Sequence, residues 1–452
     1  MNLSIQKYFP LYRSIIRVGI PIILGQLGII VVGFTDNIMV GRYGTDSLAA
    51  ASFVNNLFNL VFICGMGFSY GLTPLVGRYN GEKRNDRLVA ILKNGLLANL
   101  IVGLLLSIAM VVVYFSMHHF GQPEELFPLI RPYFLIQLSS IGVVMLFNGF
   151  KQFADGITDT QISMWVMLTA NIINIVGNYL LIYGSFGFPE LGLNGAGIST
   201  LISRVWMLVA FLFIFFKGKR YQAFVPYFKK AKLKMEDLTR LVKLGFPVSV
   251  MMGVESGSFS LCVIMMGWFG TAALAAHQVA GVITTLGFLI YYGVGAAVTI
   301  CISTISASGN KGQIKDIAAA GYHIVLAETL LFVAMLLVFR TKLSFIFTDS
   351  LEVNAILSTM LFAIILYQIG DGLQIVYANA LRGIGDVKFM AYVAFLCHFM
   401  ISLPLGYFAA FVLGWGAPGI WAGFPVGLSL MGALLYFRFK KITDITTSEV
   451  GL

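Results

Sequence analysis

An all-α polytopic membrane protein is the fold this chain predicts, with twelve transmembrane helices forming two pseudo-symmetric six-helix lobes. Three observations carry that expectation. Of the 452 residues, 58% are hydrophobic and only 11% are charged, whereas a soluble domain carries about 25% charged residues. Apolar runs of about 20 residues recur from end to end, long enough to span a bilayer as helices. The two halves also repeat each other: a displacement of 226 residues gives ten identities in the 32 positions from Gly19 to Ala50.

The first span is predicted near 14–40. The polar stretch before it leads straight into the helix and lacks the short apolar core and small-residue cleavage site of a signal peptide. This helix carries Asp36. Spans near 47–76 and 91–116 flank a loop holding Arg78, Lys83, Arg84 and Arg87. The fourth, 129–152, ends beside Asp155, where a loop or gate role fits as well as a site role. The fifth, 162–184, places Asn174 and Asn178 four apart, and the sixth, 195–216, holds Thr200 and Arg204. The run 217–238 is the one real linker, read as a solvated basic loop near lipid headgroups. The seventh span, 239–267, carries Glu255; the eighth, 273–304, carries Tyr291 and Tyr292; the ninth, 317–339, carries His323 and Glu328. The tenth, 352–377, carries Tyr367 and Asp371, and spans at 388–412 and 419–438 complete the set. His277 and His398 read as core histidines, and the four scattered cysteines as small apolar residues rather than disulfide partners.

The net charge of +10 does not point to nucleic acid, because the positive residues mark one side of a membrane. Of 30 Lys and Arg, 25 fall in the termini, the linker and the loops on the same side. Arg42, Arg131, Arg340 and Lys342 fall opposite, and Arg204 lies inside a span. The positive-inside rule then places both termini in the cytoplasm.

In the repeat, Gly19, Pro21, Gly41, Gly44 and Thr45 fall on Gly245, Pro247, Gly267, Gly270 and Thr271. The stretch ADGITD at 154–159 resembles LRGIGD at 381–386. The expected organisation is an N-lobe over 1–216, a cytoplasmic linker over 217–238, and a C-lobe with tail over 239–452. Six helices per half make the repeats parallel, the plan of many secondary transporters, with substrate bound between the halves. The charges are not repeated, since Asp36 falls on Cys262 and Glu255 on Ile29.

A carboxylate at bilayer depth costs several kcal/mol unless protonated, paired or facing a polar cavity. Glu255 lies 12 residues after Lys243 and Asp371 lies 11 before Arg382, which puts both roughly 17–18 Å in from the basic side. Tyr367 shares the Asp371 helix face. Two carboxylates and a phenol at one depth suit Na⁺, or a coupled pair sharing a proton. Asp36 lies roughly 28 Å in, at a level shared with Asn174, Asn178 and Thr200. These side chains suit Na⁺ or a protonatable acid, although Asn and Thr also serve membrane helices as hydrogen-bonding glue. Arg204, one turn from Thr200, is placed to neutralise Asp36. Glu328 reads as a packing contact. The chain has no Walker A motif, zinc helix, nucleophile elbow or TVGYG filter loop, so ATP-driven export, intramembrane catalysis and channel function are disfavoured.

The segments GIPIILGQLGIIVVGFTDNIMVG, GFPVSVMMGVESGSF, YQIGDGLQ, ALRGIGD and NIINIVGNYLLIYG resemble the MATE (multidrug and toxic compound extrusion) transporters, most closely the NorM-like branch. The resemblance covers about residues 10–440. It implies a MATE-like 6+6 fold in the inner membrane of a prokaryote, acting as a monomer and not as an enzyme. It implies efflux of small organic cations in exchange for Na⁺ or H⁺, with no other cofactor. The family's C-lobe cation site maps onto Glu255, Asp371 and Tyr367, and its N-lobe site onto Asp36, Asn174, Asn178 and Thr200. Many relatives carry an aspartate where this chain has Asn178, which lowers the expected charge of the N-lobe site. The alternative is a flippase for lipid-linked or amphipathic substrates, which needs basic residues lining its cavity; Arg204 is the one at hand.

Overall fold

A computed structural model describes residues 2–307, 312–339 and 350–448. Lys311, Arg340 and Lys342 of the charge pattern lie outside these residues. Among the described residues, twelve helices are long and apolar enough to cross a membrane. They are α1 Lys7–Tyr43, α2 Thr45–Gly81, α3 Asn85–Phe120, α4 Glu124–Gly156, α5 Thr160–Tyr183 and α6 Gly192–Lys217, followed by α7 Met235–Gly267, α8 Thr271–Ser306, α9 Gly312–Phe339, α10 Leu351–Ile384, α11 Lys388–Val412 and α12 Ala417–Asp444. All twelve predicted spans are present, and most run longer than their apolar cores. Hydropathy marks where a bilayer begins, whereas a helix ends where its backbone groups find other partners. Large apolar side chains such as Leu104 and Phe213 stay exposed, as lipid-facing positions of a multi-pass membrane protein do.

Three helices depart from straight spans. α2 breaks at a turn over Tyr70 and Gly71. α4 breaks at Ser140, whose hydroxyl donates to the Gln137 carbonyl at 2.6 Å and so competes with the helix ladder. α11 widens to π turns over Leu396–Ser402 and Phe408–Val412. Pro404 between them supplies no amide to the ladder, which loosens the helix locally.

The chain forms two compact units: Leu24–Ser249, and Met1–Ile23 with Val250–Leu452. The cuts fall inside α1 and α7, so these units differ from a division at the central linker. The first part of α1 is held by the second half of the chain. Gly19 lies so close to the Gly293 backbone that an added Cβ would sit 3.2 Å from its carbonyl oxygen. The Tyr12 hydroxyl meets His323 Nδ1 at 2.9 Å, and Lys7 pairs with Asp316 at 2.8 Å. The first part of α7 belongs to the other unit: Ser249 donates to the Cys64 carbonyl at 2.8 Å, and a Cβ on Gly71 would meet Gly245 Cα at 2.7 Å.

Unit Leu24–Ser249 has two cores. One gathers Leu72, Val76, Leu88, Phe147, Phe150, Phe153, Phe211 and Phe215; the other gathers Val40, Ala50, Val54, Phe58, Phe134 and Ile182. The second unit packs Met266, Ala276, Leu357, Ile364, Trp421 and Phe424 around Tyr367.

The related stretches ADGITD and LRGIGD cap α4 and α10 in the same way. Thr158 N donates to the Asp155 carbonyl and Asp159 N to the Ala154 carbonyl; Gly385 N and Asp386 N donate likewise to Arg382 and Leu381. This is the Schellman pattern, whose penultimate residue takes a left-handed backbone. Asp159 then pairs with Arg220 at 3.1 Å, and Asp386 with Arg438 at 2.7 Å. Burial and the Asp159 charge raise the Tyr221 hydroxyl above its ordinary value, so it stays a donor to that carboxylate. The left-handed position is Gly385 in one half and the exposed, β-branched Thr158 (φ 63°) in the other. A branched residue there costs about 1 kcal/mol. Thr158→Gly should therefore raise stability by about that amount, read as a higher midpoint in detergent thermal unfolding. A lower midpoint would show that the strain is not there to relieve.

Candidate cation and substrate sites

In the unit Leu24–Ser249, helices α1, α5 and α6 bring the four expected N-lobe residues into one hydrogen-bonded chain. Asn178 Nδ2 donates to Asp36 Oδ1 at 2.5 Å and is 3.4 Å from Asn174 Oδ1. Asn174 Nδ2 donates to Thr200 Oγ1 at 3.2 Å, and Ser199 Oγ holds the Asn174 carbonyl at 2.7 Å. Spacing of four on α5 puts both amides on one face. Asn178 is wholly buried, and its Oδ1 has no hydrogen-bond partner.

Arg204 forms no ion pair with Asp36 among the described residues. Its Nη1 donates to Gln137 Oε1 at 2.7 Å and to Ser140 Oγ at 2.5 Å. The two charges interact at longer range. The α4 break at Ser140 is what presents both acceptors to α6.

In the other unit, α10 carries Asp371 at 0% exposure, and neither carboxylate oxygen has a hydrogen-bond partner. Such groups are rare, because a buried polar atom is ordinarily satisfied. Glu255 of α7 lies within electrostatic range, and its carboxylate makes no hydrogen bond among the described residues. Tyr367, one turn before Asp371, lies against it, with its ring packed on Phe259 and Trp421. The expected C-lobe trio is thus grouped, with acidic oxygens left open.

A family model described as MatE matches residues 21–180 and again 247–408. The chain belongs to the MatE family. The two matches start 226 residues apart, the displacement of the internal repeat. This MatE chain is 28% identical over 443 residues to the multidrug resistance protein NorM of Vibrio cholerae, covering 96% of each chain. It is 27% identical over 446 residues to a probable multidrug resistance protein NorM of Mannheimia succiniciproducens, covering 97% of this chain and 95% of that one. Its fold is similar to a crystallised MATE in the bent conformation, with a TM-score of 0.89 at 20% identity, covering 98% and 99% of the two chains. It is also similar to an outward-facing multidrug resistance MATE family transporter of the MOP superfamily, with a TM-score of 0.86 at 19% identity and 97% coverage of each.

Two further groups stand beside the sites of this MatE chain. Glu328 of α9 is not an inert packing contact: its buried Oε2 has no partner, and its charge reaches Asp371. Tyr291 of α8 lies between them electrostatically and accepts from Thr329 at 2.9 Å. No three His, Cys, Asp or Glu side chains converge as metal ligands among the described residues, so Glu328 flanks the trio without closing a cage. Asp155 is taken up in a buried ion pair, 2.7 Å from Lys151 Nζ, and accepts from Ser163 at 2.9 Å. His277 accepts from Trp421 Nε1 at 3.1 Å, as a core histidine.

Proposed function

We propose that the protein is a secondary active multidrug efflux antiporter, exporting small organic cations in exchange for Na⁺ or H⁺. Asp371, Glu255 and Tyr367 form the coupling site. Asp36, Asn174, Asn178 and Thr200 form a second cation or proton site, charged only through Asp36. The protein works in a prokaryotic inner membrane as a monomer with both termini cytoplasmic. The observation that carries this reading is Asp371: a wholly buried carboxyl with both oxygens unsatisfied has an uncompensated need for a cation or a proton. Oxygen donors alone suit Na⁺, a hard cation. The relatives named for multidrug resistance support the cargo class.

The test is efflux of ethidium from proteoliposomes under an imposed Na⁺ gradient at clamped pH, then under a pH gradient without Na⁺. Efflux driven by either gradient is the expected result, and which gradient drives it identifies the ion. Efflux unresponsive to both would remove antiport and put lipid-linked substrate flipping first.

A further inference from the structure

We propose that Arg204 binds the carboxylate of an amphipathic zwitterion, so that the N-lobe site takes substrates carrying an acid as well as a cationic nitrogen. This rests on the efflux reading and narrows its substrate class. An arginine inside a membrane span is expensive and is ordinarily paired or set in a polar cavity. Here the charge is fixed in place without being neutralised. Nη1 is tied to Gln137 and Ser140, both uncharged. Gln137 is held in turn by Tyr133 at 3.0 Å, and Tyr133 by Asn55 at 3.0 Å. Phe62 covers the guanidinium at 4.6 Å.

Nε and Nη2 make no hydrogen bond, and no carboxylate lies within ion-pair distance among the described residues. These two nitrogens form the side of the guanidinium fork that matches a carboxylate with two parallel N–H donors. Asp36 is the opposite charge that Arg204 feels, yet its Oδ1 is engaged by Asn178. An acid and a base are thus anchored separately in one unit. A simple anion meets repulsion from Asp36 and a simple cation meets repulsion from Arg204, whereas a zwitterion satisfies both.

The experiment compares two dyes with one xanthene core, rhodamine 123 (a methyl ester, cationic) and rhodamine 110 (the free carboxylate). Binding to the purified full-length protein is read by fluorescence polarisation. Arg204→Gln should weaken rhodamine 110 by about tenfold or more, the scale of a charge-assisted hydrogen-bond pair, and rhodamine 123 by less than about twofold. Arg204→Lys keeps the charge but loses the fork, and should weaken rhodamine 110 selectively to a smaller extent. It also guards against misfolding of the glutamine variant. Equal weakening of both dyes, or no change in either, would overturn the assignment while leaving efflux standing. Failure of the unaltered protein to bind either dye would overturn both.

Discussion

Asp371→Asn should reduce gradient-driven efflux to the leak of protein-free vesicles and leave the protein folded. The expected loss is roughly a hundredfold or more, equivalent to about 3 kcal/mol of ion binding. The separation of function from folding follows from geometry. The Asp371 carboxylate makes no hydrogen bond in the protein, so an isosteric amide breaks none. What disappears is the charge that Na⁺ or H⁺ meets. Thermal unfolding with and without Na⁺ provides the second reading. The unaltered protein should gain stability from the ion if Na⁺ is the coupling species, and the variant should not. Undiminished driven efflux in the variant would remove Asp371 from the coupling site.

Gly423→Ala should abolish folded, monodisperse protein. α11 and α12 approach backbone to backbone along Gly406, Gly419, Gly423 and Gly427, small residues that permit such contact in membranes. A Cβ on Gly423 would collide with the Ser402 carbonyl and lie 2.8 Å from the Gly406 amide. Both obstacles are backbone, so neither can rotate away. Overpacking of this kind costs about 3 kcal/mol or more. Gly33→Ala is the matched control, because a Cβ there meets nothing within 4 Å and alanine favours a helix by up to about 1 kcal/mol. Size-exclusion profiles and thermal midpoints of the two variants decide it. A Gly423→Ala protein as stable as the control would mean the two helices are not packed this closely.

Much of this was legible in sequence because a bilayer imposes one strong rule. Every span must be apolar and about 20 residues long, so twelve spans stand out, and the internal repeat shows their grouping. Depth counting along helices brought Asp36 together with Asn174, Asn178 and Thr200, since a helix converts residue number into height at a fixed rise. The same rule puts Glu328, 13 residues after Lys315, roughly 20 Å in and therefore level with Glu255 and Asp371. Height was readable for Glu328, but which way its helix face turns was not. Arg204 was placed correctly in depth, yet depth alone does not reveal that a break at Ser140 supplies two neutral acceptors in place of Asp36. The widened turns of α11 were also hidden, because Pro404 and the facing glycines act through a close approach that hydropathy does not register.

The crossing of the chain between its compact units has a consequence for how the protein is made. Residues 24–249 are finished once the ribosome has completed α7's first part. The opening 23 residues belong to a body whose remainder begins at Val250. The earliest segment to enter the membrane therefore waits for the last six helices before it has a permanent partner. A chain severed in the central linker yields no fragment that holds either body whole. The protein has two repeats in its ancestry and two compact bodies in its structure, but no self-sufficient half in its biosynthesis.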